Sequence, residues 1–130
     1  MSYQIVAFDI GVTTGVAWLK DGQIEASEAD TEAVYQLLEL PWEEVVYEQF
    51  SASGRVSKYG ITTIELAGSI KALCARKGIP CIGQAPQYRR AFMEDAKRQL
   101  KGRNRSPHMI DAMAHLLRRM YDRGKIRSGS

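Results

Sequence analysis

Four residues of this chain combine types and positions that suit chemistry: Asp9, Glu48, His108 and Asp111. Asp9 ends the run Ile5-Val6-Ala7-Phe8, which reads as a strand buried on both faces. An ionised carboxylate carried into such an interior costs several kcal/mol unless something pairs with it. Glu48 follows Val45-Val46-Tyr47 in the same way. If those two strands are neighbours, the acids repel, and either one takes a proton or a cation sits between them. Taken singly, each reads as readily as a strand-end residue facing solvent; together, on the two most apolar strands, they favour a site. His108 and Asp111 are three apart in a helical pattern and so share a face. His115, Arg118 and Asp122 continue that stripe, and Met109, Ile110, Met113, Leu116, Leu117 and Met120 form the stripe expected to pack on the sheet. His115 is therefore expected to be a surface histidine, the alternative being a hydrogen bond to one of the ligands or a contact to nucleic acid.

Three carboxylates and an imidazole suit magnesium or manganese, and the imidazole tilts the set toward manganese. Two such ions roughly 3.5–4 Å apart can activate a water and stabilise the leaving oxygen in phosphodiester hydrolysis. The charge pattern supplies a reason to meet phosphates. Residues 1–50 hold one basic and ten acidic residues, a net of −9, whereas residues 51–130 hold seventeen basic and five acidic residues, a net of +12. A basic second half of this kind suggests a polyanionic partner. The cluster Arg98-Gln-Leu-Lys101-Gly-Arg103-Asn-Arg105 has the form of a loop reaching for phosphates.

The elements that must position these residues follow from pattern. A first strand covers about Gln4–Asp9, and two more are joined by the Asp21-Gly22 turn, a strong hairpin signal. A short helix with Thr31 as its cap stops at Pro41, and a fourth strand carries Glu48. A Gly/Ser loop over 51–60 leads to a long helix, about Ile61–Lys77, ended by Gly78 and Pro80. A short fifth strand, a helix opened by Pro86, and a last helix capped by Ser106 with Pro107 in its first turn complete the chain. The expected fold is α/β: a five-stranded mixed sheet, three antiparallel strands and then parallel ones, flanked by helices. Residues 1–124 read as one domain and 125–130 as a flexible tail.

With 130 residues, 45% hydrophobic and 25% charged, the composition is that of an ordinary globular domain. No apolar run approaches a membrane span and no signal pattern opens the chain, so a cytoplasmic protein without membrane contact is expected. Cys74 and Cys81, without a CxxC or a zinc-finger histidine, read as reduced structural thiols.

In order, FDIGVTTGVAW, VVYEQF and HMIDAMAHLL resemble the three active-site motifs of RuvC-like Holliday-junction resolvases, within the RNase H-like superfamily. The compact form resembles bacterial and bacteriophage members, which would place the protein in a bacterial cell or in the host cytoplasm. The resemblance spans about residues 4–120. It implies that Asp9, Glu48, His108 and Asp111 are both catalytic residues and metal ligands; many members have an Asp where His108 stands. It also implies a homodimer, with two ions of magnesium or manganese per site, whose two sites nick symmetric strands of a four-way DNA junction. By family position the 51–60 loop lies near the junction centre. Tyr59 is then a candidate to stack on a base, and Arg55, Lys58, Lys97, Arg98, Lys101, Arg103 and Arg105 are candidate phosphate contacts. Thr13, Thr14, Gly11 and Gly15, beside the first acid, read either as a phosphate-approaching loop or as simple turn chemistry.

Three rivals stand beside this reading. DIGVTTG also resembles the first phosphate loop of the sugar-kinase and actin superfamily, but those proteins enclose their nucleotide between two domains, so no nucleotide cofactor is expected. A RuvC-like nuclease acting on structured RNA, as in ribosomal RNA processing, shares fold and metal chemistry. A non-catalytic junction-binding scaffold would have no need of four converging ligands.

Overall fold

The computed structural model describes residues 1–49 and 56–124, with the side chains of 56–59, 61 and 62 outside the description. Five strands, β1 (Tyr3–Asp9), β2 (Thr14–Lys20), β3 (Gln23–Ala29), β4 (Glu44–Glu48) and β5 (Cys81–Gln84), form one mixed sheet in the order β3-β2-β1-β4-β5. The pairs β1/β2 and β2/β3 are antiparallel, while β1/β4 and β4/β5 are parallel. The expected topology is therefore present. Asp21 and Gly22, both at positive φ (50° and 76°), make the tight β2–β3 turn.

Alternation along the strands divides the core in two. Val6, Phe8, Val16, Val45 and Tyr47 face α1 (Thr31–Leu38) and α2 (Val56–Lys77). Ile5, Ala7, Ala17, Leu19 and Val46 face α3 (Met93–Gln99) and α4 (Pro107–Asp122). Helix α4 contributes the most to the second layer, burying Met109, Ala112, Met113, Leu116, Leu117 and Met120. Among the described residues no helix is long and apolar enough to cross a membrane.

Local differences from the sequence reading have local causes. The cap of α1 is Asp30, whose Oδ1 accepts the Ala33 N–H at 2.8 Å, because Asp30 rather than Thr31 holds the extended backbone a cap needs. Residues Pro86–Phe92 wind as a 3-10 helix before α3 begins, in place of one continuous α-helix. Helix α2 starts at Val56 and is broken at Gly60, where φ 75° and ψ 157° lie outside helical space and suit glycine. Part of the segment expected to be loop is thus helical; residues 50–55, and the tail 125–130, lie outside the described residues.

Candidate active site

Parallel pairing sets Phe8 beside Tyr47, so the next residues, Asp9 and Glu48, end adjacent strands side by side. Asp9 also pairs with Gly15 on β2, and Glu48 with Gln84 on β5. Gly15, Asp9, Glu48 and Gln84 therefore form one row across four strands. They share the alternation of Ala17, Ala7, Val46 and Ile82, which places all four on the face that α4 covers.

Helix α4 is seated on that row by its first turn. Ser106 Oγ accepts the Met109 N–H at 3.3 Å and Pro107 occupies the first helical position. A Cβ on Gly15 would stand 2.0 Å from the carbonyl oxygen of His108 and 2.3 Å from its carbonyl carbon. Only a residue without a side chain lets the helix lie so close to β2. Gly15 thus lies in β2 and meets the protein's own backbone, a role that neither sequence reading gave it.

Seated in this way, α4 delivers both of its expected site residues. His108 Nδ1 lies 3.7 Å from Asp9 Oδ2. Asp111 Oδ2 lies 3.2 Å from Arg89 Nη1, which is also 2.9 Å from Glu48 Oε1. One guanidinium from the 3-10 helix thus bridges two of the three carboxylates. Positive charge is still short. Burial, then repulsion from Glu48 and Asp111, pushes the Asp9 carboxyl up to about 6 despite the opposing pull of Arg89 and His108. Asp111 is raised as well, first by burial, with Arg89 opposing and Glu48 adding to it.

His115 departs from its expected place. It is wholly buried, with Nε2 2.9 Å from Glu48 Oε1 and Nδ1 2.7 Å from Gln84 Oε1. The surface placement fails because the stripe bearing Asp111 and His115 meets the acid-bearing end of the sheet rather than solvent; the alternative, a hydrogen bond to a ligand residue, is the arrangement observed. Arg89 and Gln84 were not singled out from sequence. The signal for His115 was present in its setting, the otherwise apolar run Met113-Ala-His-Leu-Leu117. Arg89 follows β5 with no periodicity to mark it.

The basic candidates form a separate group. Lys97 Nζ is 3.3 Å from Glu94 Oε1, Arg98 pairs with Asp95, and Arg103 Nη1 is 3.2 Å from Glu25 Oε2 on β3. Arg105 Nη1 donates to the Lys97 carbonyl at 2.6 Å, tying the loop before α4 back to α3. Lys101, Arg103 and Arg105 are exposed. Among the described residues, none of the five pairs with the four site residues. Arg55 lies outside the described residues, as do the side chains of Lys58 and Tyr59.

Oxygen-rich donors with an imidazole, buried and crowded enough to raise the Asp9 carboxyl to about 6, fit a divalent cation in their chemistry. Their spacing is that of acids gathered on an arginine. Among the described residues no three His, Cys, Asp or Glu side chains stand close enough together to hold a metal ion as they are. A cation would compete with Arg89 for the charge of Glu48 and Asp111.

No family model and no curated protein matches this chain. Solved structures do match. A Thermus thermophilus RuvC in complex with a Holliday junction substrate superposes with a TM-score of 0.64 at 18% identity, over 92% of this chain and 94% of that one. A second Thermus thermophilus RuvC structure gives 0.57 at 19% identity, over 92% and 95%. The mixed five-stranded α/β architecture is thus the RuvC fold, RNase H-like, as the sequence motifs suggested.

Proposed function

We propose that this chain, with its RuvC fold, is a metal-dependent endonuclease that resolves four-way DNA junctions by paired nicks through phosphodiester hydrolysis. The observation that carries the reading is the cluster of Asp9, Glu48 and Asp111 on two strand ends and one helix, with Asp9 raised to about 6 by burial and by the other two acids. Acids forced together at such a cost suit a site whose ligand is cationic. The solved RuvC bound to a Holliday junction supports a branched DNA substrate.

In this reading Asp9, Glu48, Asp111 and His108 would hold magnesium or manganese, two ions per site, which would lower the pKa of water and offset charge on the phosphate. His108 stands beside Asp9 and supplies the imidazole of the set. Arg89 neutralises Glu48 and Asp111 until a divalent cation does so. Lys101, Arg103 and Arg105, exposed on the loop that leads into α4, line the approach to phosphates, and Lys97 and Arg98 extend that surface along α3. Paired nicks require two sites, hence a homodimer, acting in the cytoplasm where the DNA is.

The test is an end-labelled cleavage assay comparing a four-way DNA junction, matched linear duplex and structured RNA, each with magnesium, manganese or EDTA. Symmetric nicks in the junction alone, lost with EDTA, are expected. Tight junction binding without cleavage in either metal would replace the enzyme with a binding scaffold. Cleavage of structured RNA in preference to the junction would reassign the substrate.

A further inference from the structure

We infer that His115, backed by Gln84, is a positioning residue for Glu48 and determines which of its two oxygens is left to meet a cation. The inference rests on the nuclease reading and deepens it.

The argument is one of donors and acceptors. Glu48 Oε1 faces Arg89 Nη1 at 2.9 Å and His115 Nε2 at 2.9 Å. A carboxylate oxygen accepts, so His115 carries a proton on Nε2 and donates it. In a neutral ring Nδ1 is then a lone pair turned toward Gln84. With the Gln84 carbonyl oxygen toward it, two acceptors would meet, and Gln84 Nε2 is buried without a partner among the described residues. The two ends of an amide have the same shape. Turning it over lets Nε2 donate to Nδ1, which removes both problems at once. In an imidazolium both nitrogens donate instead. In either form the bond that reaches Glu48 runs from His115 Nε2.

Packing alone does not account for a histidine here. Its neighbours Ala114, Leu116 and Leu117 are buried apolar residues, and an apolar side chain would fill the site without the cost of hiding two ring nitrogens. The nitrogens are paired because both ends meet the row described above: Gln84 and Glu48 are register partners at the ends of β5 and β4. The consequence falls on Glu48. Both of its donors take Oε1, and among the described residues no donor holds Oε2. The carboxylate is pinned from its buried side and presents one defined oxygen. Hydrogen bonds behind a ligand commonly do this, and their loss costs about 10–100-fold in metal affinity.

Two substitutions separate positioning from packing. In His115→Gln the amide nitrogen is as many bonds from Cα as Nε2 and keeps the donor to Glu48. In His115→Asn it matches Nδ1 and keeps only the contact to Gln84. Manganese binding by calorimetry on the DNA-free protein is expected to stay within about threefold of wild type for His115→Gln and to weaken about tenfold or more for His115→Asn. Junction cleavage should follow the same split in kcat, with junction affinity unchanged. Equal loss in both variants, or loss in neither, overturns the inference. If both fail to fold, Gln84→Met leaves His115 in place and should still weaken manganese binding; unchanged binding overturns it. A wild-type protein that cleaves no junction while the Gln/Asn split in manganese binding persists refutes the nuclease reading alone. Junction cleavage without any split refutes the positioning role alone.

Discussion

Glu44 and Glu48 stand four residues apart on β4, face the same side of the sheet and meet the same helix, yet their surroundings differ in sign. Glu44 receives Arg119 through two bonds, Nε to Oε1 at 2.7 Å and Nη2 to Oε2 at 3.0 Å, with Arg123 3.4 Å from Oε2. One acid there meets two arginines. At the other end Glu48 shares a single arginine with Asp111 beside a third acid, Asp9. Because α4 runs antiparallel to β4, one helix supplies Arg119 and Arg123 to the first acid and His115 and Asp111 to the second. Negative charge is fully met where the sheet only has to be held together, and left unmet where a ligand could complete it. The contrast separates a fully paired carboxylate from a crowded set without reference to any relative.

The sharpest way to break that contrast is Asp9→Asn. The folded pKa of about 6 lies above the ordinary carboxylate value, so the folded chain holds this proton more tightly than the unfolded one. The resulting penalty is absent below the ordinary value of 3.8, grows as pH rises through the window to about 6, and is complete above it. A shift of that size corresponds to about 3 kcal/mol. Asp9→Asn should therefore abolish cleavage, preserve junction binding and raise Tm in EDTA at pH 8, with the gain fading toward pH 4. A variant that cleaves at the wild-type rate would remove Asp9 from the site, and one that melts earlier at pH 8 would remove the charge crowding.

Gly15→Ala probes how the unbalanced end is assembled. Its Cβ collides with the backbone of His108, which cannot rotate away as a side chain would, so a loss of up to about 3 kcal/mol is expected together with loss of cleavage. Wild-type Tm and cleavage would mean that α4 need not be seated on β2. At the balanced end, Glu44→Gln should cost about 2 kcal/mol in urea unfolding while the cleavage rate per folded molecule stays unchanged. A fall in that rate would show that the two ends are not independent. The smallest effect is expected from Arg89→Gln. Without a guanidinium competing for Glu48 and Asp111, manganese should bind the DNA-free protein about tenfold more tightly. Unchanged affinity would mean that Arg89 does not compete with the ion.

The fold was largely legible because its signals are local. The apolar runs, the Asp21-Gly22 turn and the Ser106-Pro107 start of α4 each carry their own chemistry within a few residues. Asp9 and Glu48 were legible for a related reason: a carboxylate ending a buried strand is anomalous wherever the strand lies. His115 was misplaced because a helical wheel assigns a polar stripe to solvent, and nothing in α4 itself says that the stripe faces Glu48 and Gln84. Arg89, Gln84 and the Glu44–Arg119 pair depend on contacts between residues 31 to 75 positions apart. Such pairs leave no trace in spacing.

The seating of α4 also bears on how the protein comes apart. The helix that carries His108, Asp111 and His115 supplies most of the helical layer on one face of the core and clamps β4 at its far end through Arg119, about 12 Å along its axis from Asp111. It therefore has no partial opening of its own, since releasing the site means releasing the layer. The amides of α4 should be among the slowest in the molecule to exchange with deuterium, opening only with global unfolding. Cleavage and folded structure should then disappear at the same urea concentration.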